Sequence, residues 1–182
     1  SGVEVDFLHP SPHCGLKLTD VRIPNANQLG PLGGAFNAIS LPMRRVEDAL
    51  GAAKTAGAMR HRFKLLCKAA AKRKATEEIE VALGLLSTMP EAHSAMAWRA
   101  AELLDSGRED TEETLMALAG AARQTGNYIE GKVEAFINAW DIEVSDALAI
   151  ANRDLVKSQG IAGYARDLQA RKRGQALLST VV

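Results

Sequence analysis

The chain has 182 residues, 47% of them hydrophobic and 24% charged, which excludes a disordered tail and leaves one ordinary domain enough apolar side chains for a core. Its 22 basic and 22 acidic residues cancel, and aromatics reach only 4%, a composition that favours close-packed helices over a sheet sandwich. The cancellation hides a segregation: residues 54–74 carry eight Lys/Arg and no Asp/Glu, and residues 75–113 carry ten Asp/Glu against two Lys/Arg.

Residues 1–39 differ in character from the rest. Five of the six prolines fall at or before Pro42, and Gly30-Pro31-Leu32-Gly33-Gly34 forms a glycine-rich hinge. Val3, Val5 and Phe7 alternate with acids, and Leu16 and Leu18 alternate with Lys17 and Thr19, so short strands and a hairpin across His9 to Gly15 are expected. Prolines at 10, 12, 24 and 31 keep those segments short. The segment reads as an extended arm with a short β-hairpin, followed by the hinge.

From Ser40 to residue 182 the periodicity is helical. Ser40 with Pro42 opens a first helix through Val46 and Leu50 to about Gly57. A second runs to about Lys74 with the apolar stripe Met59, Phe63, Leu66, Cys67 and Ala70. Thr76 caps a third, and Thr88-Met89-Pro90-Glu91 has the form of a capping box that starts a fourth. Ser106-Gly107 ends it, and Asp110 caps the next, which carries Leu115, Leu118 and Ala122. Gly126-Asn127, then Asp141 or Ser145, then Gly160 and Gly163 punctuate the remainder. The expectation is an all-α body, a compact bundle of about seven helices at 40–182, preceded by the arm at 1–39. Trp98, Trp140 and Phe136 are expected in its core.

The chemistry concentrates on the second helix. Arg60, Lys64, Lys68 and Lys72 stand at i, i+4 spacing over about 120° of its surface, with His61 in the same sector and Arg62 and Arg73 flanking. Like charges so stacked oppose the helix by roughly 0.2–0.5 kcal/mol per pair, a cost that a partner anion reverses. Together with Lys74 and the C-terminal run Arg171-Lys172-Arg173, these cations form a candidate nucleic-acid contact that addresses backbone phosphates in a sequence-tolerant, salt-dependent way. The opposing expectation is that they face the chain's own acidic helices. Five or six of the ten acids at 75–113 sit in first turns, where they complement the helix dipole.

A molecule with a basic and an acidic face can stack head to tail, and an arm on a hinge can reach a neighbour, so a homo-oligomer is expected. The layout is analogous to nucleoproteins and coat proteins in architecture alone. The leading expectation is thus a non-enzymatic helical binding and assembly protein on a polyanion, RNA or DNA, viral or regulatory in setting. The alternative is a protein-interaction module, such as a regulatory adaptor or secreted effector domain, whose charged faces bind a protein.

No catalytic, cofactor or metal set emerges. His9, His13 and Cys14 offer three ligand types in six residues, but zinc needs a fourth and no second Cys/His pair has finger spacing. Cys67 lies on the apolar stripe, which suits an inert thiol. There is no nucleophile elbow, phosphate-binding GxxxxGK[ST] loop or HExxH. Two cysteines and no ~18-residue apolar run suggest a reducing intracellular compartment and no transmembrane segment. The start Ser-Gly-Val-Glu lacks Met and the regions of a signal peptide, as a trimmed or tagged end or a piece of a longer chain would.

Overall fold

A computed structural model describes residues 2–3, 6–7, 13–108, 111–160 and 163–180. Among these residues the protein is all-α, built on five helices: α1 (Leu41–Ala70), α2 (Glu77–Ser106), α3 (Thr111–Ala139), α4 (Asp146–Gly160) and α5 (Gly163–Ser179). A π-helical turn, Phe36–Ser40, leads into α1, so helical backbone starts ahead of the expected Ser40. The core joins α1 to α2, α3 and α4; α5 lies against α3. Met59, Leu66, Ile79, Leu86, Ile129, Val133, Phe136, Leu148 and Leu155 are its centre.

Five helices, not seven, follow from breakers that do not break. Gly57 sits inside α1, where Ala56 and Met59 on either side are buried and hold the helix through it. Thr88-Met89-Pro90-Glu91 is the middle of α2, not a start. Pro90 leaves the Leu86 carbonyl without its intrahelical donor, which costs about 3 kcal/mol in a free helix. The helix continues because one buried seam runs the length of it, Ile79, Leu86, Pro90, His93, Ala97, Ala100 and Leu103, against α1 and α3. Gly126 lies inside α3 for a different reason: α4 approaches it closely, and a Cβ there would stand 2.8 Å from the Gln159 carboxamide oxygen. That glycine is a packing contact.

Other signals act as expected. Thr76, extended at φ −126° and ψ 158°, caps α2 by accepting from the Ile79 N–H at 3.4 Å. Gly107 ends α2 in the left-handed conformation at φ 61°. Ser145 starts α4, its Oγ accepting from the Leu148 N–H at 3.4 Å. The Asp110 cap lies outside the described residues.

The expected hairpin of alternating strands is not built. Gly2–Val3 and His13–Cys14 pair antiparallel over two residues only, Gly2 opposite Cys14 and Val3 opposite His13. Leu16 and Leu18 fall beyond that pair in chain without regular structure. With Pro10 and Pro12 just ahead of His13 and no third strand among the described residues, a two-rung ladder has nothing to extend on. Every residue from Gly15 to Gly33 is exposed.

Candidate functional site

The basic helix is the C-terminal half of α1. Its stripe of Met59, Leu66 and Ala70 is buried, with Phe63 and Cys67 half-buried, so the opposite arc faces outward as the pattern required. Burial raises the Cys67 thiol above its ordinary pKa, which disfavours the reactive thiolate.

Four of the cations meet acids or carbonyls of this same chain. Arg60 forks onto Glu91 of α2, Nε to Oε1 at 3.0 Å and Nη2 to Oε2 at 2.7 Å. That guanidinium holds the Glu91 carboxyl below the usual carboxylate range. Lys72 reaches Glu143 at 3.0 Å. Arg73 donates twice to the Trp140 carbonyl, at 3.0 and 2.8 Å, and once to Asp141 at 3.1 Å. It thereby ties the end of α1 to the 140–145 connection. Arg62 is 2% exposed and donates to Glu130 of α3.

What remains outward is smaller. Lys64 and Lys68 are exposed, one helical turn apart, with no hydrogen bond or ion pair among the described residues; Lys74 is exposed just past the helix. The cluster Arg171, Lys172 and Arg173 is on α5, whose helix neighbour is α3. There Arg173 donates to the Glu113 carbonyl at 3.1 Å, while Arg171 and Lys172 are exposed. The two basic groups thus sit on different helices.

Features that charge and motif did not reveal stand out on the surface. Trp98 is 73% exposed, contrary to its expected place in the core, while Phe136 is buried and Trp140 packs on it with ring centroids 4.6 Å apart. Val81 and Leu85 of α2 and Leu177 and Leu178 of α5 are also exposed. Between α1, α3 and α4 lies an open cleft of about 550 Å³, with an apolar wall of alanines plus Ile150 and Leu155. His61 and His93 line it; His93 is buried, its Nδ1 has no hydrogen-bond partner among the described residues, and burial lowers its pKa. No hydrophobic or charge period marks a lone buried histidine, so sequence reasoning had no signal for it.

His9 lies outside the described residues, as do the side chains of His13 and Cys14. Among the described residues no cluster of three or more His, Cys, Asp or Glu could hold a metal ion, and no helix is long and apolar enough to cross a membrane. Comparison with protein-family models, curated proteins and solved structures finds no match to this chain.

Proposed function

We propose that the chain is a non-enzymatic helical interaction and assembly protein that binds further copies of itself. One observation carries this reading. Large apolar side chains stay exposed along the chain: Leu16, Ile23 and Leu32 of the arm, Phe36 and Leu50 near the start of α1, and Leu178 of α5 are all more than half exposed. Exposed apolar side chains in such number favour contact with another molecule.

Light scattering on size-exclusion fractions, at low and high salt, tests it. A mass above 19.4 kDa that persists at high salt is expected, because burial of apolar surface is not screened. A monomer at high micromolar concentration in both salts would reject the reading.

A second reading rests on Lys64 and Lys68. They present two exposed cations one turn apart, without a partner among the described residues and with Lys74 beyond, which suits the phosphate backbone of a nucleic acid. The purified protein would then carry nucleic acid at low salt and release it at high salt.

A further inference from the structure

We propose that two copies of the chain pair across the outer groove between α1 and α2, each setting Trp98 over the partner's Gly57 and Lys64 beside the partner's Asp105. The proposal rests on the self-association reading above and specifies its surface.

The first half of α1 is apolar on two faces. Ala49, Ala56 and Met59 are buried on one. On the other, Met43, Val46 and Leu50 are 54%, 49% and 66% exposed, and Ala53 and Gly57 continue the stripe in the open. A helix with a second apolar face has a second surface to bury.

The neighbouring edge of α2 extends this face. The two helices run antiparallel, joined by the turn at 71–76, and Arg60 meets Glu91 across their groove at 2.7 Å. Seven residues back in α1 and seven on in α2 stand Ala53 and Trp98, two turns further along the same groove. Two more turns bring Val46 and Asp105 together in the same way. Trp98, 73% exposed, thus stands beside small residues, and a Cβ at Gly57 would meet nothing within 4 Å. Protrusion and recess share one face. A two-fold contact needs that, because residue i meets j of the partner while j meets i.

Charge selects the second copy as the occupant. Asp105 sits in the last turn of α2, at the negative end of the helix dipole, and that turn holds no basic residue. It is exposed and has no partner among the described residues, and the same is true of Lys64. Glu91 and Glu102, the other acids on this edge, are already held by Arg60 and Arg99 at 2.7 and 3.2 Å. Lys64 and the Val46 level of Asp105 are 18 residues apart in α1, about 27 Å along the groove, so one copy cannot pair them. A two-fold axis between Ala53 and Gly57 reverses the groove. It lays Lys64 over the partner's Val46, next to the partner's Asp105, and Trp98 over the partner's Gly57. Leu50 then covers the aliphatic stem of the partner's Arg60.

Sedimentation equilibrium of the full chain and its variants reads the dimer constant, and circular dichroism reads the helix content. Trp98→Ala removes the protrusion and Gly57→Gln fills the recess, each at an exposed helical position. Each should weaken the dimer at least about 30-fold with helix content unchanged. Lys64→Glu and Asp105→Lys should each weaken it at least about threefold, and together regain most of the loss. A chain that still associates, with a constant unmoved by Trp98→Ala and Gly57→Gln, would overturn this surface and leave self-association standing. A double charge swap no tighter than its singles would overturn the two-fold arrangement, and the proposal with it. A parent that stays monomeric at every concentration would sink both readings, and nucleic acid bound to that monomer would assign Lys64 to a polyanion.

Discussion

Arg62 of α1 and Glu130 of α3 form an ion pair in which the arginine side chain is 2% exposed and the glutamate 22%. The charge pattern places Arg62 on the flank of the outward cations, yet it is the largest fully buried side chain among the described residues. Glu130 Oε1 has no hydrogen-bond partner among the described residues, so there the pair is satisfied on one oxygen only.

Removing one partner leaves the other charge buried and uncompensated, whereas removing both does not. Arg62→Ala is therefore expected to destabilise by about 3 kcal/mol, the lower part of the range because Glu130 keeps some solvent. Arg62→Met combined with Glu130→Leu should lie closer to the parent than Arg62→Ala does. Urea denaturation of Arg62→Ala, the singles Arg62→Met and Glu130→Leu, and their double measures this. If the effects of Arg62→Met and Glu130→Leu simply add in the double, the pair is not coupled.

Lys64 and Lys68 should carry whatever polyanion affinity α1 has. Lys64→Glu with Lys68→Glu is expected to flatten the salt dependence of RNA or DNA binding, by about 1.4–1.8 in the slope of log K against log salt if each meets one phosphate. Stability should hold, since neither residue has a partner to lose among the described residues. Arg60→Glu should instead destabilise, because it faces Glu91 at 2.7 Å. A fluorescence titration at four salt concentrations decides it; an unchanged slope would remove the polyanion reading from this helix.

The reason Arg62 misled is visible along α1. Its buried residues are Ala49, Ala56, Met59, Arg62, Leu66, Ala69 and Ala70. In heptad terms, with Ala49 at a, they occupy a, d and g, and Arg62 and Ala69 share g. Hydrophobicity marks Met59, Phe63 and Leu66 strongly and the alanines weakly, so the legible stripe was narrower than the buried one and its edge fell short of Arg62. Helix existence, the caps at Thr76, Gly107 and Ser145, and the core face of α1 were legible because each is a local or strongly periodic signal. Helix length was not. Pro90 is a local breaker overruled by the seam along α2, and Gly126 marks the close approach of α4 to α3; tertiary contact has no one-residue signature. The ion pairs of Arg60, Lys72 and Arg73 join positions 31 to 71 residues apart, a separation that charge patterning foreshadowed only as a balance of blocks.

Gly126 offers a clean test of close helix approach. The three atoms nearest to a Cβ there all belong to the end of the Gln159 side chain, Oε1, Cδ and Nε2 at 2.8, 3.1 and 3.1 Å. Ala in a helix interior is favoured over Gly by about 1 kcal/mol, and here displacement of the carboxamide offsets it. Gly126→Ala should therefore stabilise by about 1 kcal/mol in a Gln159→Ala background and by clearly less in the parent. Equal gains in both backgrounds, read from thermal melts, would mean that Gln159 does not restrict the site.

His93 should make stability pH-dependent in a narrow window. Burial disfavours the imidazolium, so the folded-state pKa lies below the ordinary 6.5. The unfolded chain then binds more protons than the folded one below that value, and stability rises with pH there. The contribution is complete above about pH 6.5 and is lost as pH falls from 6.5 toward the folded pKa, with a slope no steeper than one proton, about 1.4 kcal/mol per pH unit. The carboxylates on the same cleft, Glu47, Asp48 and Asp154, and the exposed His61 face the site, so His61→Gln serves as the control. His93→Leu should flatten the stability profile between pH 5 and 7, and His61→Gln should retain its slope. Denaturation midpoints at half-unit pH steps read the difference, and a slope that survives His93→Leu would assign the effect to another group.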